Sequence, residues 1–118
     1  MFHIVEDKGM EPPRLGDFEY LVLLALFRVG PEAYGAVVRR EIETHTGRQL
    51  GISAVYTTLE RLEQKRLVRS WVGESTEVRD GRRRKYFELC PLGARALKVM
   101  HRTFAAMTAG VERRLKAL

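Results

Sequence analysis

Residues 53–89 read SAVYTTLERLEQKRLVRSWVGESTEVRDGRRRKYFEL, and the architecture turns on how this stretch is parsed. Val55, Leu59 and Leu62 recur at i, i+4 and i+7, which makes one apolar stripe on a helix. Ser53 offers an N-cap, so the spacing predicts a helix from Ser53 to about residue 65. Ala54, Thr57, Thr58, Arg61 and Lys65 fall on its other faces and are expected mostly outward. Two strand-like segments follow. Asp80-Gly81 is a strong two-residue hairpin turn, because both residues tolerate positive φ. With the turn there, Val72 is expected opposite Leu89 and Glu74 opposite Phe87 on one face. Trp71 then meets Cys90, and Glu77 meets Arg84, on the other. The base of such a hairpin is apolar and its tip is charged.

Upstream, Phe18, Leu21, Val22, Ala25 and Val29 share one face of a helix expected over about 17–29, with Asp17 as N-cap and Gly30-Pro31 as its end. A second helix is expected over about 34–45, with Tyr34, Val37, Val38 and Ile42 inward and Arg39, Arg40, Glu41 and Glu43 in water. Gly47 suits a left-handed C-cap. Residues 1–14, broken by Gly9, Pro12 and Pro13, read as a flexible arm. Downstream, Pro91 suits the first position of a last helix. Leu97, Met100, Phe104, Met107 and Val111 are spaced 3, 4, 3, 4, and Leu115 continues the stripe with a shifted step. Heptad spacing of this kind fits helix pairing. A helix of about 25 residues spans about 38 Å, more than a small three-helix head can cover. Gly110 weakens its far end.

The chain has 118 residues, 45% hydrophobic and 31% charged, which fits one globular domain with an appended element. The net charge of +6 is uneven: 6 Lys/Arg against 8 Asp/Glu in residues 1–50, and 15 against 7 in residues 51–118. A basic second half points to a polyanionic partner. Cys90 is the single cysteine, so no intrachain disulfide forms, and a cytoplasmic home is the simplest. The first residues do not form a signal peptide, and the longest apolar stretch, Tyr20–Phe27, is too short for a membrane span. His3, His45 and His101 have no metal-ligand spacing, and no cofactor or catalytic motif is present. The reading is therefore not an enzyme.

Three helices and then a hairpin is the order of a winged helix. In that arrangement the third helix enters the major groove while its apolar stripe packs on the domain. Small and polar residues at its start let the backbone come close to DNA, and the free amides there favour a phosphate. The candidate DNA-binding residues that this reading gives on the helix are Ser53, Ala54, Thr57, Thr58 and Arg61. Arg79, Arg82, Arg83, Arg84 and Lys85 flank the turn, and so many cations on one projecting loop repel one another unless an anion meets them. They join the candidate list.

The run Val55 to Val68, then Gly81 to Leu89 and Gly93, together with Leu15-Gly16, Tyr20 to Leu26 and Tyr34-Gly35, resembles the PadR family of bacterial transcriptional regulators over about residues 15–100. The resemblance implies a dimeric winged-helix repressor, tuned by a small-molecule or stress signal. It places Tyr56 and its neighbours at the DNA and Arg82 to Lys85 in the wing. The single C-terminal helix is similar to the smaller subfamily, in which that helix dimerises. Two positions depart from the family pattern: Asp80 stands where Gly is common, and Cys90 where Thr is usual. Cys90 is read either as a replacement cap partly covered by Trp71, or as a thiol activated at a helix N-terminus.

The expectation is thus a mainly α chain with a small β hairpin: an arm at 1–14, a winged helix-turn-helix at 15–90 and a dimerisation helix at 91–118. Leu97, Met100, Phe104, Met107, Val111 and Leu115 form the expected dimer interface. The expected function is a homodimeric regulator on double-stranded, pseudo-palindromic DNA. The rivals are a ligand-binding sensor dimer and a winged-helix module for protein–protein contact.

Overall fold

The computed structural model describes residues 11–73, 78–79 and 82–118. Three helices come first: α1 (Asp17–Val29), α2 (Gly35–Thr46) and α3 (Ile52–Gln64). Strands β1 (Val68–Val72), β2 (Val78–Arg79), β3 (Arg82–Arg83) and β4 (Lys85–Leu89) follow, and then α4 (Pro91–Thr108) and a short α5 (Glu112–Lys116). The chain is mainly helical with a small antiparallel hairpin, as the sequence order implies.

Each helix of the head gives one stripe to a single core. Val22, Leu23, Ala25 and Leu26 of α1 meet Val38 and Ile42 of α2 and Val55, Leu59 and Leu62 of α3. Leu67, Val68, Phe87 and Leu89 close it from the hairpin, and Leu92, Ala96 and Leu97 from α4. Burying a side chain of this size stabilises the fold by roughly 1.5–3 kcal/mol.

The helix ends differ in detail from the sequence expectations. Gly16, not Asp17, is the N-cap of α1, and its N–H donates to Glu19 Oε1 at 2.8 Å. Gly51, not Ser53, caps α3, without a side-chain bond. Gly47 does end α2 in the left-handed conformation, at φ 73°. Cys90 is the N-cap of α4, and it is buried.

The hairpin register is corrected by four residues at its base. Val68 lies opposite Leu89 and Trp71 opposite Tyr86, and Gly73 N–H donates to Arg84 O at 2.8 Å in the same register. Nearer the tip, Val78 lies opposite Arg83 and Arg79 opposite Arg82, as a turn at 80–81 requires. The first limb therefore carries four residues more than the second between the two ladders. Asp80-Gly81, Glu74 and Glu77 lie outside the described residues. A shift of four keeps the strand parity, so Val72, Leu89 and Phe87 remain on one face although their partners change. Trp71 does not meet Cys90.

The last helix is shorter than expected. It ends at Thr108, and Gly110 at φ 81° separates it from α5. Leu97 is buried in the head and is removed from the expected dimer stripe, while Met100 packs at the edge of the same core. Phe104 still stacks on Tyr20 of α1, with ring centroids 6.2 Å apart, and beyond it Met107 and Leu115 stand exposed. The first turn of α4 is pressed against the hairpin. A Cβ on Gly93 would overlap the Leu67 carbonyl, whose oxygen already accepts from Cys90 N–H at 3.0 Å.

One ion pair ties the start of α1 to the end of α3. Lys65 Nζ donates to Glu19 Oε2 at 2.8 Å, so Lys65 is not a free outward cation. Burial pushes the Glu19 carboxyl up, but the Lys65 hydrogen bond, the Gly16 amide and the charges of Lys65 and Arg61 outweigh it and hold the group below its ordinary value. A lowered carboxylate contributes stability above its unfolded pKa and loses it as pH falls through the folded one. Glu19→Gln should therefore cost about 1–3 kcal/mol at neutral pH. In urea unfolding the gap from the parent should shrink as the solution is made acid, whereas a gap that is constant with pH would contradict the assignment.

Candidate nucleic-acid interface

The third helix is sharply two-sided. Val55, Thr58, Leu59 and Leu62 are buried, while Ser53, Ala54, Thr57, Glu60 and Arg61 are exposed. The exposed set is small and polar at the N-terminal half, where the first amides of the helix have no carbonyl of their own to bond. Thr58 is a correction: at 4% exposure it belongs to the core side and cannot reach a ligand in this conformation.

Tyr56 sits between the two sides. It is half-buried, and its ring lies across the first turn of α2. A Cβ at Gly35 would stand 2.7 Å from the Tyr56 hydroxyl and overlap the ring. Only glycine lets the two helices approach this closely. The contact fixes the Tyr56 ring relative to α2 and leaves its edge beside the exposed face of α3.

The same turn of α2 also holds the hairpin. Phe87 N–H donates to Ala33 O at 2.9 Å, and Tyr34 bridges to Tyr86. Side chains continue the connection. Trp71 stacks on Tyr86 with centroids 5.7 Å apart, Tyr86 meets Tyr34 edge-on at 5.8 Å, and the Arg84 guanidinium lies 4.5 Å over the Tyr34 ring. At the other end, Arg69 lies 4.8 Å over Trp71 and also pairs with Glu88. Such stacked and cation–π contacts favour one orientation of the hairpin over others.

The basic residues therefore divide. Arg83 is exposed on β3. Arg84 and Lys85 are half-buried and drawn back over Tyr34 and Phe87, with Lys85 Nζ 5.6 Å from its ring. The backbones of Arg79 and Arg82 pair across the hairpin, but their side chains lie outside the described residues. The structure thus brings α3 and the hairpin together at the N-terminal turn of α2. Sequence reasoning missed Gly35 and Tyr86 as supports. The dipeptide Tyr34-Gly35 was visible, but nothing in it names Tyr56 as the neighbour.

Among the described residues no group of three His, Cys, Asp or Glu side chains could hold a metal ion, and no helix is long and apolar enough to cross a membrane. Arg28, Glu41 and His45 form a surface cluster instead, with Arg28 Nε 2.7 Å from Glu41 Oε2.

The fit of Tyr56 to Gly35 has a measurable consequence. Gly35→Ala gains helix propensity of up to about 1 kcal/mol but forces the ring aside, at a cost of about 1–3 kcal/mol. The variant should be destabilised in urea unfolding, and the loss should vanish when Tyr56→Leu is added. Equal loss with and without Tyr56 would show that the two residues are not coupled.

Comparison with known proteins agrees with this architecture. A family model described as the transcriptional regulator PadR-like family matches residues 22–99. No curated protein matches the sequence. Among solved structures, a PadR family transcription regulator from Clostridium difficile R20291 has a TM-score of 0.68 at 23% identity, covering 85% of this chain and 99% of that one. A PadR family regulator from Eggerthella lenta DSM 2243 has 0.64 at 24% identity, covering 83% of each chain. A PadR-like regulator from Bacillus cereus ATCC 14579 has 0.67 at 19% identity, covering 83% of this chain and 90% of that one. With the family model spanning most of the chain, the protein belongs to the PadR-like family of transcriptional regulators and is not an enzyme.

Proposed function

We propose that this chain is a cytoplasmic homodimeric repressor that binds a pseudo-palindromic site in double-stranded DNA. One observation carries the reading. The apolar stripe of α3 is spent in the core while its small, polar N-terminal face is exposed beside a basic hairpin. That is the division a recognition helix needs. Ser53, Ala54, Tyr56, Thr57 and Arg61 would meet the major groove. Arg79, Arg82 and Arg83 would reach phosphates or the minor groove, with Arg84 and Lys85 at the root of the wing.

The dimer reading rests on α4. Val99, Phe104 and Met107 are exposed, Met107 by 75%, although the Phe104 ring also stacks on Tyr20 of its own head. A second copy would cover them. The interface would then comprise Met100, Phe104, Met107, Val111 and Leu115, without Leu97. Between α1 and α4 a mainly apolar groove lined by Leu24, Phe27, Ala94 and Leu97, with Lys98 and His101 also on its wall, lies next to this stripe. A small-molecule effector bound near it would act by changing the separation of the two heads.

The test is selection from genomic fragments, the chain's own upstream region included, across a salt series. Tight, sequence-selective binding with a steep loss of affinity as salt rises supports the reading. Weak, unselective and salt-insensitive binding would overturn it in favour of a protein-docking module.

A further inference from the structure

The two sides of α3 carry the same spacing. Val55, Leu59 and Leu62 fall at i, i+4 and i+7, and Ser53, Thr57 and Glu60 repeat that interval two residues earlier. Two residues turn a helix by about 200°, so the second stripe lies back to back with the first. Ser53, Thr57 and Glu60 are all exposed, and Gln64 continues them for one more turn. With the apolar stripe fixed in the core, Glu60 lies at the middle of the outward side. Arg61 and Ala54 lie towards one flank of it and Tyr56 towards the other.

Among the described residues the Glu60 carboxylate accepts no hydrogen bond and meets no cation. The other acids at this helix are engaged. Glu19 takes Lys65, and Glu63 accepts from the Ser70 amide and hydroxyl. Towards the helix start, Ser53 and Thr57 are short, and the Tyr56 ring is drawn aside over Gly35. An open carboxylate on a face that meets DNA is selective, because it has acceptor atoms only. Phosphate oxygens repel it, and so do the major-groove acceptors: N7 and O6 of guanine, O4 of thymine and N7 of adenine. Cytosine is the base that presents an amino donor there, at N4, with no acceptor of its own beside it.

We propose that Glu60 is a specificity-determining residue whose carboxylate accepts a hydrogen bond from the N4 amino group of one cytosine in each half-site. This rests on the DNA-binding reading above. It adds a contact of opposite character to the wing, whose cations favour any duplex. The Glu60 charge works against DNA in general and is relieved at one base pair in particular.

Glu60→Gln keeps the length and removes the charge. The full-length parent, Glu60→Gln and Glu60→Ala are each used to select from a randomised duplex library. The enriched duplexes and a mixed-sequence duplex are then titrated by fluorescence anisotropy. The parent should require C at one position of each half-site, with about tenfold weaker binding when that base pair is changed. Glu60→Gln should admit A at that position, since an amide can fork onto N6 and N7 of adenine. Glu60→Ala should lose the discrimination there, and both variants should bind the mixed-sequence duplex as tightly as the parent or more so. The rest of the motif and the thermal stability should stay the same, because the side chain is exposed. A Gln variant weakened equally on every duplex would overturn the proposal. If the parent selects a motif that both substitutions leave intact, only the Glu60 assignment fails. If the parent selects no motif, the DNA-binding reading fails with it.

Discussion

The burial of one side of α3 governs the whole arrangement. Val55, Leu59 and Leu62 are fully enclosed by α1, α2 and the hairpin base, and each contributes roughly 1.5–3 kcal/mol by leaving water. A helix held by so much apolar surface cannot rotate without exposing it. Its opposite side is therefore presented as a fixed pattern: Ser53, Ala54 and Thr57 near the start, Arg61 a turn further on. The Glu19–Lys65 pair secures the far end of the same helix to α1, so its axis as well as its rotation is set.

A second constraint converges on the first turn of α2. There Gly35 admits the Tyr56 ring, Tyr34 receives Tyr86 and Arg84, and Ala33 accepts a hydrogen bond from Phe87. The exposed face of α3 and the hairpin are thus positioned by the same few residues, and moving one moves the other. Arg84 and Lys85 have an architectural role at this junction, since their charges lie over aromatic rings instead of at the projecting end.

Much of this was legible in the sequence because the signals were periodic. The span of α1, the stripe of α3, the Gly47 cap and the Pro91 start all follow from local spacing and local chemistry. The failures were of another kind. Thr58 lies beside Leu59 and Leu62 on the helical circuit, and its burial depends on how wide a face the neighbouring helices cover. The hairpin base departed from the Asp80-Gly81 register because four residues of one limb have no counterpart in the other, and a turn signal reports only its own neighbourhood. Leu97 satisfied the heptad pattern of α4, yet the head needed it. Periodicity marks which side of a helix is apolar, but not which body will cover it. The pairings of Gly35 with Tyr56 and of Trp71 with Tyr86 join distant segments, and no single stretch of sequence announces them.

The exposed part of α4 joins these local facts to function at the scale of DNA. Two heads held by a pair of such helices would present two copies of α3 in fixed relation, so the separation of the contacts on DNA reports the assembly directly. Hydroxyl-radical and methylation footprinting on a selected fragment measures that separation. Two dyad-related sets of major-groove contacts, centred about 34–36 Å apart on one side of the duplex, should appear. A single protected patch, or protection confined to the backbone with no major-groove signal, would contradict the claim that α3 reads DNA from both halves of a dimer.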